Sequence, residues 1–487
     1  MNAEKKMRDF LAAAADRDSA QTQNGKAAGR VRALLDADSF VELDSQVCPS
    51  GENLTRAPLC GDGLLCGYGT IDGRLVFVAA QDPDVYKGSL SRLNTAKFAR
   101  HILRAKSSGA PFLALLDSAG IRAEEGLSLL SDTADLIWTI KEAREEIMFI
   151  SLVLGPCPGV QSFIAANSDL VLMAADQGGV FLHGPGVTAA EYDPQMTPAD
   201  IGGAAVQADR SGLAALVADN EDGLFELTRR LFTYLPDDFS GFADAITVKD
   251  GDPNRCDPVL DELAAGLDAG TSADQITAAI FDQDGMIELF AHYGQGLSGG
   301  LTTLAGIPLV YMANRQRVMG LAELDKCGKL LQLAERFNYP LISFTDVESF
   351  AGGPEAEAKG ISRAAAALLA AFGDLSVPRL NVITGAALGS AFLTFNSKAT
   401  GADMVYAWPT AEIGLLRPDS AVALFKRKAL KAAADPQALR QELEATYASK
   451  DMGPAEAANL GLIDELIRPS ATRPRLYSAL QLIGGAL

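Results

Sequence analysis

Residues 67–81 read GYGTIDGRLVFVAAQ, and residues 300–314 read GLTTLAGIPLVYMAN. Gly67, Thr70 and Gly73 have counterparts in Gly300, Thr303 and Gly306, and each run continues into apolar residues at an offset of 233. A match at a fixed distance is the mark of an internal repeat, and the flanking sequence extends it. GAPFLALLDSAG, with Pro111 and Asp117, answers NYPLISFTDVES, with Pro340 and Asp346, at an offset of 229. Further on, ISLVLGPCPG (Gly155, Gly159) answers NVITGAALG (Gly385, Gly389), and SDLVLMA (Asp169) answers ADMVYAW (Asp403). VFLHGP (Pro185) answers IGLLRP (Pro418). Five matched segments in one order, at offsets between 229 and 234, define a duplicated domain.

Within each half, short apolar runs bounded by Gly and Pro, such as FLALL, MFISLVLG and LVLMA, read as strands. They alternate with stretches of helical period such as SRLNTAKFARHILRAKSSG. That alternation predicts an α/β fold with crossover connections. Residues 250–283 carry turn residues and no strand pattern, so the linker is expected there, dividing lobes 1–250 and 251–487.

A chain of 487 residues with 48% hydrophobic and 21% charged content is globular and long enough for two cores. Its net charge of −20, without a basic tract, argues against nucleic acid or an anionic membrane as the main partner. A phosphate-bearing ligand must then be held by local groups. Cys48, Cys60, Cys66, Cys157, Cys256 and Cys327 form no CxxC pair, which points to reduced cytosolic thiols and no zinc ribbon. The amino terminus lacks the apolar stretch of a secretory signal, and no window has about 18 uninterrupted apolar residues, so a cytoplasmic location is expected.

Two turns in matched positions carry the chemistry: GPCPGVQ (residues 155–161) and TGAALGSAF (residues 384–392). Both consist of small residues and, Cys157 apart, contain no ionisable side chain. Backbone N–H groups are what such loops offer, the arrangement that stabilises a developing oxyanion. A tight turn that needs Gly for its backbone angles is the alternative for either loop alone. GLSGG (residues 296–300) satisfies GxSxG but precedes an apolar run, so a nucleophile elbow is not expected. His101, His183 and His292 are dispersed, and no metal site follows. Neither a phosphate-binding GxxxxGK[ST] nor a dinucleotide glycine fingerprint is present, and the chain has no Met-Lys-Met hairpin on which biotin is carried.

GDGLLCGYGTIDGRLVFVAAQD, KGSLS, GAPFLALLDSAGIRAEEG, GPCPG, the GG of IGGA, GADMVYAWPTAEIG and RVRALLDADSFVELD together resemble the carboxyltransferase family. Its members include the propionyl-CoA carboxylase β-subunit, the transcarboxylase core and the α-subunits of methylmalonyl- or glutaconyl-CoA decarboxylase. The resemblance spans nearly the whole chain. It implies two tandem crotonase-like ββα-superhelix domains and a homo-hexamer, a trimer of dimers, in which the amino-terminal lobe of one subunit faces the carboxy-terminal lobe of another. The acyl-CoA would bind on the amino-terminal lobe and biotin on the carboxy-terminal lobe. It also implies a biotin carboxyl carrier protein as partner, with a biotin carboxylase or a membrane decarboxylase subunit whose complex the chain would join peripherally.

By the same resemblance, the amides of Gly159 and Val160 serve the thioester enolate, and those of Ser390 and Ala391 serve the biotin ureido oxygen. Carboxybiotin that loses CO2 leaves a ureido enolate able to take the α-proton, so no catalytic histidine is required. CoA is expected near Ala119, Gly120 and Arg122. This sequence departs from the family's pattern in four places: Gly159-Val160 for Gly-Gly, DSAGIR for DSGGAR, ALGSAFLTF (residues 387–395) for AYGGAYDVM, and DVESFAGG for DVPGFLPG. Leu393 replaces a family Asp that lines the acyl pocket, flanked by Phe392 and Phe395, which implies a more apolar or differently shaped acyl group. Two alternatives remain open at this point: a paralogue that serves as a binding or assembly subunit, and a biotin-independent acyl-CoA enzyme using Glu124 or Glu125.

Overall fold

A computed structural model describes residues 3–8, 11, 25–47, 61–236, 245–266, 273–283 and 285–483, so Cys48 and Cys60 lie outside the described residues. The chain divides into two compact units, Met1–Thr233 and Tyr234–Leu487.

In the first unit, β1 (Val41–Leu43), β2 (Leu64–Ile71) and β3 (Arg74–Gln81) pair antiparallel. From β3 the sheet continues in parallel through β4 (Phe112–Leu116), β5 (Phe149–Val153), β7 (Leu170–Ala174) and β9 (Leu216–Ala218). A separate parallel pair, β6 (Pro156–Pro158) with β8 (Gly179–Phe181), lies beyond the end of β5. Strands β4, β5 and β7 are buried throughout, as a parallel sheet covered on both faces requires. Phe98, Phe112 and Phe149 stack through the core at centroid distances of 5.7 and 5.3 Å.

The second unit repeats the plan. β10 (Ile287–Glu288), β11 (Leu297–Leu304) and β12 (Ile307–Asn314) pair antiparallel. β12 leads in parallel through β14 (Leu341–Val347), β16 (Arg379–Leu388), β17 (Met404–Ala407) and β19 (Glu465–Leu466). β13 (Val318–Met319) pairs with β15 (Ser349–Phe350), and β18 (Glu412–Gly414) joins the end of β16.

Several side-chain devices are duplicated with the strands. The two-residue turns Asp72-Gly73 (φ 49° and 80°) and Ala305-Gly306 (φ 53° and 83°) both have the left-handed backbone that a tight right-twisted hairpin needs. Asp36 accepts both amides of the first turn at 3.0 and 2.9 Å, and Asp282 accepts both of the second at 3.1 and 2.9 Å. An arginine from each unit's last described long helix holds that carboxylate: Arg229 on Asp36 at 2.8 Å and Arg473 on Asp282 at 2.6 Å. A buried lysine on each first crossover helix donates to the opening residue of a hairpin strand, Lys97 to the Leu64 carbonyl at 2.6 Å and Lys326 to that of Leu297 at 2.7 Å.

Within the stretch expected as the linker, the described residues 250–266 and 273–283 belong to the second unit. Val259–Ala265 and Ala273–Ile280 are helical, and Leu260, Ala264, Ile276 and Ile280 enter the core. The i,i+4 spacing of these pairs is the helical signal, short enough to be hidden among Gly, Pro and Asp. Among the described residues, no helix is long and apolar enough to cross a membrane.

Candidate active site

Asp117 follows β4 and Asp346 is the penultimate residue of β14, and each carboxylate is packed against a glycine of the next parallel strand or just beyond it, Gly155 after β5 and Gly385 within β16. A Cβ on Gly155 would lie 2.1 Å from the Asp117 Oδ1, and one on Gly385 would lie 2.4 Å from that of Asp346. Only glycine allows this approach. Arg30 pairs with Asp117 at 2.8 Å and Arg317 with Asp346 at 2.9 Å, so both carboxylates are neutralised by structural partners.

Beyond these glycines the chain turns into a helix through a second glycine with left-handed backbone. Gly159 (φ 64°) opens the 3-10 turn Gly159–Gln161 and the helix Ser162–Ala166, while Gly389 (φ 53°) opens the helix Gly389–Thr394. Above Gly159 there is open space, since a Cβ there would meet nothing within 4 Å. Gly389 is matched to Gly159 in the repeat, so Val160 stands against Ser390 and Gln161 against Ala391. Gly159 and Val160 are half-buried, Ser390 is exposed and Ala391 is buried.

The other expected residues fall around the first of these turns or on the second helix. Ala119 is exposed, and its amide donates to the Lys87 carbonyl at 2.9 Å. Gly120 is buried with φ 109°, and its amide donates to the Ser118 hydroxyl at 3.0 Å. The Arg122 guanidinium is committed inside the fold. It donates to the Ser89 hydroxyl at 3.0 Å and the Asp62 carbonyl at 2.5 Å, and lies over the Tyr86 ring at 4.3 Å. Phe392 packs partly against the core, while Leu393 is 47% exposed. Phe395, two residues beyond Leu393, follows the helix Gly389–Thr394. It is buried edge-on against Phe372, at a centroid distance of 5.8 Å, in the unit's interior.

Sequence reading missed two features. Tyr86, Lys87 and Gly88 are three consecutive left-handed residues (φ 49°, 53° and 62°), and a Cβ on Gly88 would lie 2.2 Å from the Asp117 carbonyl oxygen. Runs of this kind carry strain and cluster at functional sites. The second is a buried network joining Gln81, Ser118 and Gln161. Gln81 ends the apolar run that reveals the repeat, which was the available signal, but the identity of its partners was not legible.

The loops contain no ready acid, base or nucleophile. Burial pushes the Cys157 thiol far above its ordinary range, and its Sγ donates to the Gln161 carbonyl at 3.1 Å. Glu125 accepts the Arg92 amide at 2.7 Å, which commits it as a helix cap. Ser298 of the GxSxG stretch is buried within β11, 3.3 Å from the Tyr311 hydroxyl. Among the described residues, no group of three or more His, Cys, Asp or Glu could hold a metal ion.

An α/β layer duplicated in one chain, with a glycine-headed turn following a central strand of each copy, defines the class of proteins with two tandem crotonase-like domains. Within that class, the carboxyl transferase domain model matches residues 20–484, and the chain belongs to that family. It is 32% identical over 479 residues to a propionyl-CoA carboxylase carboxyltransferase subunit of Haloferax mediterranei, covering 96% of this chain and 92% of the relative. It is 31% identical over 490 residues to the methylmalonyl-CoA decarboxylase α-subunit of Propionigenium modestum, covering 99% and 95%. Among solved structures, the transcarboxylase 12S hexamer with methylmalonyl-coenzyme A and methylmalonic acid bound matches at a TM-score of 0.89 and 28% identity, over 97% of this chain and 91% of that one.

Proposed function

We propose that this chain is the carboxyltransferase subunit of a biotin-dependent acyl-CoA carboxylase or decarboxylase. Written in one direction, the N–C bond of carboxybiotin breaks, a C–C bond forms at the α-carbon of the acyl-CoA, and the α-proton ends on the biotin nitrogen. Biotin, brought in on a separate carrier protein, supplies the carboxyl group and accepts that proton.

The chain's own part is orientation and polarity. The amides of Gly159 and Val160 face the thioester oxygen as it gains charge, and those of Ser390 and Ala391 hold the ureido oxygen. Acyl-CoA binds the lobe of residues 1–250 and biotin the lobe of residues 251–487, with lobes of different subunits meeting in a homo-hexamer. The ureido group is neutral and carries a carbonyl acceptor, which fits an exposed Ser390 turn without a charged side chain. Arg122 braces the loop that receives CoA. Lys87, exposed on the adjacent left-handed turn, is the cation offered to the CoA phosphates. Leu393, exposed beside the second turn, contacts an apolar acyl group. Backbone donors of this kind are worth about 100- to 1,000-fold in rate each.

The observation that carries this reading is the matched pair of left-handed glycines, Gly159 and Gly389, heading turns bare of acid and base. The purified chain, given methylmalonyl-CoA and a high concentration of free biotin, should release propionyl-CoA in a biotin-dependent manner, read by chromatography. Biotin-independent release, or none with acyl-CoAs of any length, would refute the assignment.

A further inference from the structure

We propose that Gln161 is a positioning residue, whose buried carboxamide locks the Gly159–Val160 turn onto the loop of residues 117–120 and so sets where the first unit's backbone donors point. This rests on the function proposed above and names a determinant of that same site.

The side chain is fully buried, and both ends of its carboxamide are engaged. Its Oε1 accepts from the Gln81 Nε2 at 2.8 Å, and its Nε2 donates to the Gly120 carbonyl at 3.0 Å and to the Ser118 hydroxyl. Gln81 in turn accepts the Asp117 amide at 3.0 Å, and the Ser118 hydroxyl accepts the Gly120 amide at 3.0 Å. One carboxamide therefore joins the end of β3, the loop after β4 and the turn after β6. Gln161 directly follows Val160, so its side chain restrains the peptides on which the donors sit. The turn is fastened at its backbone as well, by Cys157 Sγ on the Gln161 carbonyl at 3.1 Å and Ser162 Oγ on the Gly159 carbonyl at 2.7 Å.

The duplication provides the control. In the second unit Ala391 stands where Gln161 does, and Val347 stands where Ser118 does. The same parallel pairing precedes both turns, Pro158 with Phe181 and Leu388 with Gly414, and in the second unit the Ala386 amide also donates to Asp346 at 2.7 Å. Asn314, matched to Gln81, still accepts the Asp346 amide at 3.2 Å, so the same connection folds without a carboxamide at the Gln161 position. Folding alone does not explain why the first unit buries polar groups that are costly when unpaired.

The test uses the full chain with methylmalonyl-CoA and free biotin, comparing Gln161→Met, which keeps length and volume, with Ser118→Ala and the double variant. Gln161→Ala, copying the second unit, serves should the methionine variant not fold. The expected result is a kcat lowered about 10- to 100-fold, the scale of a misplaced reacting group, with KM within about threefold. The double variant should lose no more kcat than the worse single variant, because both act through one contact. A folded Gln161→Met or Gln161→Ala variant whose kcat stays within twofold of wild type overturns the proposal, whatever its melting temperature. So does a loss carried by KM alone. An inert wild-type chain would instead bring down the functional reading, and this inference with it.

Discussion

At the scale of single residues, buried polar groups are the features least visible in advance and most open to test. His101 is fully buried on the helix Arg92–Ser108, where burial, reinforced by the Arg104 charge, pushes its imidazole down to about 4, with Asp44 at 3.4 Å opposing the shift. The unfolded chain, with an ordinary histidine, takes up that proton first as pH falls below about 6.5. Stability is therefore full above that pH and falls as pH drops toward 4, at up to about 1.4 kcal/mol per unit for one proton. His101→Gln should flatten this part of the urea-denaturation profile between pH 6.5 and 4. A profile as steep as wild type would show that the histidine is not responsible. Gln161 illustrates why such groups escape sequence reading. A glutamine in a Gly-rich turn reads as solvent-facing, and what buries it is a partner at Gln81, far away in the chain and brought close only by the sheet. Gly155 and Gly159 were legible because a glycine's backbone demands are local, whereas a carboxamide's partners are not.

At the scale of elements, repeated periodicity made the strands and their order readable. The apolar runs of β4, β5 and β7 are fully buried parallel strands, β3 is buried from Val76 onward, and their counterparts follow in the second unit. The helices Val259–Ala265 and Ala273–Ile280 were missed because seven or eight residues place only two or three side chains each in the core. The hairpin turns allow an element-level prediction. Ala305 occupies the first turn position at φ 53°, where Asp72 stands in the other unit. A Cβ in that backbone region costs about 1 to 2 kcal/mol, part of which glycine's larger unfolded-state freedom takes back. Ala305→Gly should thus raise stability by about 0.5 to 1 kcal/mol, read as a higher urea midpoint. A lowered midpoint would mean that the Asp282 clamp relieves the strain already.

At the scale of the whole molecule, duplication kept the architecture of each unit's closing clamp while changing its burial. Arg473 is 2% and Asp282 0% exposed at the side chain, whereas Arg229 and Asp36 are 31% and 26% exposed. Arg473 also donates to the carbonyls of Asp252 at 2.8 Å, Ile280 at 2.6 Å and Asp250 at 3.2 Å, tying the segment that leads into the second unit to its last helix. Arg229 adds the Leu34 carbonyl at 3.0 Å and Asp72 at 2.6 Å. Removing Arg473 strands a buried carboxylate, at a cost of about 3 to 5 kcal/mol. Removing Arg229 leaves a carboxylate that water reaches and that its turn amides still hold, at about 1 to 2 kcal/mol. The clamps close different hairpins, so the effects should separate in hydrogen exchange. Arg473→Leu should speed exchange in residues 297–314 and leave residues 64–81 protected, while Arg229→Leu should act on residues 64–81 alone and more weakly. Exchange rising together in both hairpins would mean that the units do not hold their cores independently, and that the repeat is a single cooperative structure.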